Sequence, residues 1–146
     1  MAEIDPADAG TFQSRLADFE ARWQDAISRW EKRGAPLKGV PVVVHHRQWV
    51  YLIHWLGMQR VGELEPKPGV PPTPGHLAAL QAQLKAQPAK LIIHAAYEDP
   101  APARWLSQRT GIPEVTLPFT VGGSKRAKDL FSLFDDTLDR LLEGLK

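Results

Sequence analysis

The sequence predicts an α/β sandwich of three layers, with a four-stranded, mainly parallel sheet and a long helix in front of it. Two observations carry this. Short apolar runs alternate four times with helical stretches, and strands separated by helices of about ten or more residues imply right-handed crossovers and parallel pairing. The runs Val42-Val43-Val44 and Leu91-Ile92-Ile93 are continuous rather than alternating, the pattern of strands buried on both faces. The 146 residues, 43% apolar and 24% charged, suit one globular domain with a core of its own.

The first helix is read over Thr11 to Lys32. Phe12, Leu16, Phe19, Trp23, Ile27 and Trp30 recur every three or four residues and share one face. Asp5-Pro6 reads as its start, with Pro in a first-turn position, and Gly34 and Pro36 end it. About 25 residues at 1.5 Å each give roughly 37 Å, long for a chain of this size. Residues 1–36 are therefore set apart as a helical segment from an α/β unit over 37–146.

Val40 to His45 is the first strand, His46 to Leu56 a helix closed by Gly57, and Gln59 to Leu64 the second strand. Glu65 to Pro74 holds five prolines in ten residues and is expected to be a stiff, extended loop with polyproline II character. Thr73 is the natural N-cap of a helix from Pro74 to Ala86. Lys90 to His94 is the third strand, Ala101 to Thr110 a helix ended by Gly111, Glu114 to Leu117 the fourth strand, and Lys128 to Leu145 a closing amphipathic helix.

Composition removes several functions. There is no cysteine, so disulfides, thiolate metal sites and cysteine nucleophiles are excluded. The net charge of +1 offers no general field for nucleic acid, and the charges of the first helix interleave in sign. No apolar run approaches the roughly 20 residues of a membrane span. Met1 to Gly10 is acidic and small, unlike a secretory leader. Walker A, G-x-G-x-x-G and G-x-S-x-G motifs are missing.

Open α/β sheets bind ligands beyond the carboxyl ends of their strands. This rim carries His45 and His46 after strand 1, Glu63 and Glu65 after strand 2, and His94, Tyr97, Glu98 and Asp99 after strand 3. Thr120, Gly122, Gly123 and Asp129 follow strand 4. Imidazole and carboxylate are metal-ligand types. The plainer readings compete. Adjacent His45 and His46 point to opposite faces, so at most one faces a given site. His54 and His76 read as surface residues, and His94 as a hydrogen-bonded core histidine. Asp99 reads as a helix cap, and Asp135 and Asp136 as a solvated helix face.

Several segments together resemble a known family. They are Val42-Val43-Val44-His45-His46-Arg47-Gln48-Trp49 with Trp55-Leu56-Gly57, the run Glu65-Pro66-Lys67-Pro68-Gly69-Val70-Pro71-Pro72-Thr73-Pro74-Gly75-His76-Leu77, Asp5-Pro6-Ala7-Asp8-Ala9, Val121-Gly122-Gly123, and Asp129 to Asp136. The sequence is similar over nearly its whole length to the C-terminal lobe of the zinc/manganese substrate-binding proteins of ABC transporters, the cluster A-I periplasmic metal-binding lipoproteins and adhesins. The resemblance implies two lobes joined by a long helix with the metal between them, so that this chain lacks an N-terminal lobe and is a fragment or excised domain. It implies metal ligation by His46, more weakly by Asp129, and by His94 as a substitute where relatives carry an acidic residue. It further implies zinc, with manganese the alternative, a permease partner, periplasmic localisation and no enzymatic activity. A histidine rather than a glutamate at 46 leans toward zinc.

Two further readings stand beside it: a stand-alone α/β interaction or regulatory domain, and a small enzyme using His46 and a rim carboxylate as acid and base. The second is the weakest, since nothing orients a nucleophile. With two of about four ligands, the chain alone is expected to bind zinc weakly. Apolar surface around Trp49 or the Pro loop, left without its partner lobe, is expected to favour a homodimer.

Overall fold

A computed structural model describes residues 3–146. They fall into two compact units, one ending at Arg33 and the other spanning Gly34–Lys146. The first is helical. Helix α1 spans Ala9–Gly34, so Asp5-Pro6 does not open it. Instead Pro6 and Asp8 supply carbonyls to the Ala9 and Phe12 amides in a turn that leads into the helix. Within α1, Phe19 stacks on Trp23 at 5.7 Å and Trp23 meets Trp30 edge-on at 5.1 Å. The apolar stripe is covered unevenly: Leu16 is 55% exposed, whereas Trp30 is fully buried.

The second unit is the predicted α/β sandwich. Its elements are β1 (Pro41–Val44), α2 (Val50–Leu56), β2 (Gln59–Glu63), α3 (Pro74–Ala86), β3 (Leu91–Ala95), α4 (Ala101–Thr110), β4 (Glu114–Leu117) and α5 (Leu130–Gly144). The four strands lie in the order β2-β1-β3-β4, and every pairing is parallel. A register shift between Val42 and Val43 gives the edge strand β2 one extra residue, as a bulge does.

Alternation along the strands decides the layers. Val43 and Ile92 face a core made with Leu77, Leu80 and Leu84 of α3 and Ala103 and Leu106 of α4. Gly62 of β2 lies so near this layer that a Cβ there would come within 2.6 Å of Leu80. The opposite face meets α5, where a Cβ on Gly144 would approach Val115 and Leu91. Helix α2 lies on the α5 side, with Trp55 edge-on to Phe134 at 5.8 Å. Gly57 and Gly111 end α2 and α4 at φ of 66° and 73°, a left-handed conformation that glycine adopts at little cost.

This order sets the site. The chain runs from β1 outward to β2, then crosses back over β1 to β3. Crossovers of one hand therefore put α2 on one face and α3 and α4 on the other. Loops leaving β1 and β3 part in opposite directions, and a crevice opens between their carboxyl ends.

Three local expectations are revised. The Pro-rich segment is not simply extended: Lys67 and Val70 pair across a tight turn, with Gly69 at φ 78°. Five prolines stiffen the chain, but one glycine among them lets it double back. His76 is not a free surface group, since its Nε2 lies 2.9 Å from the Glu63 carbonyl. Asp136 is not on a solvated face: it is 1% exposed, for reasons given below.

Candidate metal-binding rim

The rim is built from the residues that follow β1. Both backbone groups of His45 pair, its N–H donating to the Ile93 carbonyl and its C=O accepting from Glu65. The strand direction then turns the two imidazoles apart. His45 is buried, and its Nδ1 has no hydrogen-bond partner among the described residues. His46, with extended backbone (φ −124°, ψ 160°), points its ring outward at the start of the turn into α2.

His46 meets the second strand's end. Its Nδ1 lies 2.6 Å from Glu65 Oε2, with side-chain exposures of 34% and 17%. The same carboxylate oxygen accepts from the Gly69 amide at 3.3 Å. Burial alone pushes the Glu65 carboxyl up. The His46 hydrogen bond, the Gly69 amide and the charge that His46 and His45 can carry outweigh it, and the net shift is downward. An ionised carboxylate only accepts, so the 2.6 Å contact is the one that an Nδ1–H of His46 makes. No hydrogen bond engages Nε2 of His46 among the described residues.

Neighbouring groups hold the two loops. Arg47 Nε donates to Glu63 at 2.7 Å, and Arg60 lies 3.3 Å from the other Glu63 oxygen. Across the crevice the Tyr97 hydroxyl donates to Gln48 Oε1 at 3.0 Å, linking the loops that follow β3 and β1. Burial, then the charges of Glu98 and Glu65, raise the Tyr97 phenol's pKa, and the Gln48 bond only partly offsets them. Glu98 turns inward to accept from the Ala95 amide at 2.6 Å.

His94 sits in β3 at 2% exposure. Its Nδ1 lies 3.2 Å from the Ala95 carbonyl and its Nε2 3.0 Å from the Thr116 hydroxyl. A carbonyl can only accept, so the Nδ1 carries the proton and the Nε2 lone pair is taken by Thr116. Asp129 is exposed and caps α5, with Oδ1 accepting from the Ser132 amide at 2.7 Å. The Ser132 hydroxyl accepts in turn from the Asp129 amide, completing a capping box. His46, Asp129 and His94 are not drawn into one cluster: among the described residues no three His, Asp or Glu side chains are grouped to hold an ion.

Sequence reasoning missed the network under the loop that precedes Asp129. Asp136 Oδ2 accepts from Ser124 at 2.6 Å and from Arg140 at 2.9 Å, while Arg126 lies 3.5 Å from its other oxygen and also pairs with Asp139. Ser124 in turn accepts from the Ala127 amide, and Arg140 reaches the Thr116 carbonyl. The i, i+4 spacing of Asp136 and Arg140 was the available signal. Beside this network Trp49, Trp55, Pro118, Phe119, Leu133 and Phe134 line an apolar groove of about 330 Å³. Phe119 is 47% exposed and stands edge-on to Trp49 at 5.6 Å and Tyr97 at 5.4 Å.

Residues 1–144 match the family described as zinc-uptake complex component A, periplasmic. Solved structures share the fold. A crystal structure of ZnuA aligns with TM-score 0.80 at 16% identity, over 99% of this chain and 52% of that one. The SBP FpvC of Pseudomonas aeruginosa, in complex with Ni2+, aligns with TM-score 0.73 at 19% identity, over 99% and 54%. The laminin-binding adhesin of Streptococcus agalactiae gives 0.74 at 20% identity, over 99% and 55%. The chain thus spans about half the length of these structures. No protein of curated function matches it.

Proposed function

From the premise that the chain belongs to the family of periplasmic zinc-uptake component A, a transport rather than an enzyme family, we propose that its α/β unit is the C-terminal half of a cation-binding site. The cargo is a divalent transition-metal ion, zinc before manganese, held between this lobe and a second one and passed in the periplasm to an ABC permease. The observation that carries this reading is His46: at the switch point of the sheet, one ring nitrogen is bound to Glu65 and the other is unengaged.

His46 is the first ligand and Asp129 the second. Asp129 stands at the N-terminus of α5, where it keeps its cap while offering carboxylate oxygen to an ion. His94 joins only if it gives up Thr116, which makes it the least favoured of the three. Imidazole with carboxylate suits zinc, which takes about four ligands. Two from this lobe leave two for the other.

The incomplete donor set supports weak binding by this chain alone. Tyr51 at 88% exposure and Phe119 at 47% leave aromatic side chains uncovered, which supports cover by a second lobe or by another copy in a homodimer. Calorimetric titration with zinc tests the reading. Weak binding that disappears in His46→Ala, and tightens when an N-terminal lobe is joined to the chain, is the expected result. Sub-micromolar binding by the monomer that survives His46→Ala would refute the ligand assignment.

A further inference from the structure

The Pro-rich turn after β2 has a shape that packing does not explain. Glu65, Pro66, Lys67, Pro68 and Gly69 form a tight loop closed by the Lys67–Val70 pairing. Gly69 takes a positive φ of 78° with open space around its Cα, so no neighbour requires the missing side chain. What the turn achieves is to bring the Gly69 amide back to Glu65 Oε2, the oxygen that also faces His46 Nδ1. Pro66 and Pro68 hold the backbone between these two points with little freedom to lose.

We infer that Glu65 is the positioning residue of the cation site, and that the Pro-rich turn is a brace that holds its carboxylate on His46 Nδ1 so that Nε2 is presented to the ion. The inference rests on the reading of His46 as a ligand. Three observations carry it. The contact is short, at 2.6 Å, and Glu65 is only 17% exposed on its side chain. The backbone is fixed at Glu65, whose N–H donates to the His45 carbonyl, and at the residue before His46, since His45 N–H donates to Ile93 in the sheet. The carboxylate is tied a second time, by the Gly69 amide at 3.3 Å, which favours the orientation that faces His46.

The chemistry follows from the two ring nitrogens. A neutral histidine binds a metal through whichever nitrogen lacks the proton, and a carboxylate on the other one decides which that is. A carboxylate partner also makes the ligating nitrogen more basic, and removing such partners typically costs about 10–100-fold in metal affinity. The alternative role for Glu65, as a ligand in its own right, would require it to leave both His46 and Gly69.

Nitrogen-resolved NMR of this chain tests the inference without relying on transport. At about pH 8, above the usual imidazole range, metal-free His46 is expected as the Nδ1–H tautomer. Glu65→Ala should release the ring to a mixture or to Nε2–H. Glu65→Gln keeps an oxygen that can accept, and should retain Nδ1–H. Zinc added as the free ion should perturb Nε2 of His46, with half-saturation at about tenfold or more higher zinc in Glu65→Ala. An unchanged backbone amide spectrum in the Gln variant guards against misfolding. An Nε2–H tautomer in the parent chain, or equal zinc half-saturation in all three proteins, overturns the inference. Zinc that leaves His46 untouched while the tautomer follows Glu65 would instead sink His46 as a ligand, and with it the site that Glu65 is said to serve.

Discussion

Two carboxylates anchor the two ends of the rim, and they are used differently. Asp136 is 1% exposed and faces Ser124, Arg140 and Arg126. Glu65 is 17% exposed and faces His46 and a backbone amide. In both, burial raises the carboxyl's pKa and its partners more than reverse the effect. The partners decide what else the group can do. A guanidinium is always charged and has no lone pair to offer, so the Asp136 network ends within the protein. An imidazole has a second nitrogen, so the Glu65 contact continues outward. Asp136 holds a loop in place, whereas Glu65 orients a donor.

The largest effect should come from Asp136. Asp136→Ala removes charge-assisted bonds to Ser124 and Arg140 and leaves the 118–128 loop without its anchor on α5. A loss of about 2–4 kcal/mol is expected, since hydrogen bonds to charged groups contribute about 1.5–3 each and both arginines remain partly exposed. Urea unfolding should show a midpoint lowered by about 1–2 M. The same deletion at Glu65 should cost only about 1 kcal/mol, because His46 can turn to water and Gly69 loses a single long bond. If the two deletions cost the same, the distinction between anchor and orienting group fails.

Acid unfolding sharpens the comparison. The Asp136 carboxyl is held below its ordinary value of 3.8, as burial is overcome by Ser124, Arg140 and Arg126. A folded-state value below the unfolded one adds stability that is complete above the ordinary range and lost as pH falls through the lowered value. Stability should therefore decline below about pH 4, and Asp136→Asn should flatten that decline. Urea midpoints at several acidic pH values measure this.

How far the sequence discloses these features depends on the range of the interaction. Continuous apolar strands and their alternation with helices are local patterns, so Val42–Val44, Leu91–Ile93 and the parallel sheet were legible. The ends of α2, α3 and α4 were legible for the same reason, through Gly57, Thr73 and Gly111. Asp136 was not. On a helical wheel it reads as surface, and its burial depends on Ser124 and Arg126 in a loop whose path no periodicity predicts. His46 and Glu65 were both visible on the rim, but their contact needs β1 beside β2 and a turn at Gly69. Asp5-Pro6 misled because a proline suited to a first helical turn also suits the turn before it.

The smallest stability change belongs to Asp129→Asn, and it separates two roles that overlap in one side chain. As N-cap of α5 its Oδ1 accepts the Ser132 amide. Asparagine has an oxygen in the same place and caps about as well, whereas alanine typically costs about 1 kcal/mol. Asp129→Asn should therefore lower the unfolding free energy read from urea curves by no more than a few tenths of a kcal/mol, about 0.3, and Asp129→Ala by about 1 kcal/mol. Zinc should rank the same two variants differently. The amide lacks the charge of a carboxylate ligand, so Asp129→Asn should weaken zinc binding nearly as much as Asp129→Ala does. That comparison is best made on the chain joined to an N-terminal lobe. If the asparagine variant keeps full affinity there, Asp129 serves α5 alone, and the second donor of this lobe must be sought elsewhere on the rim.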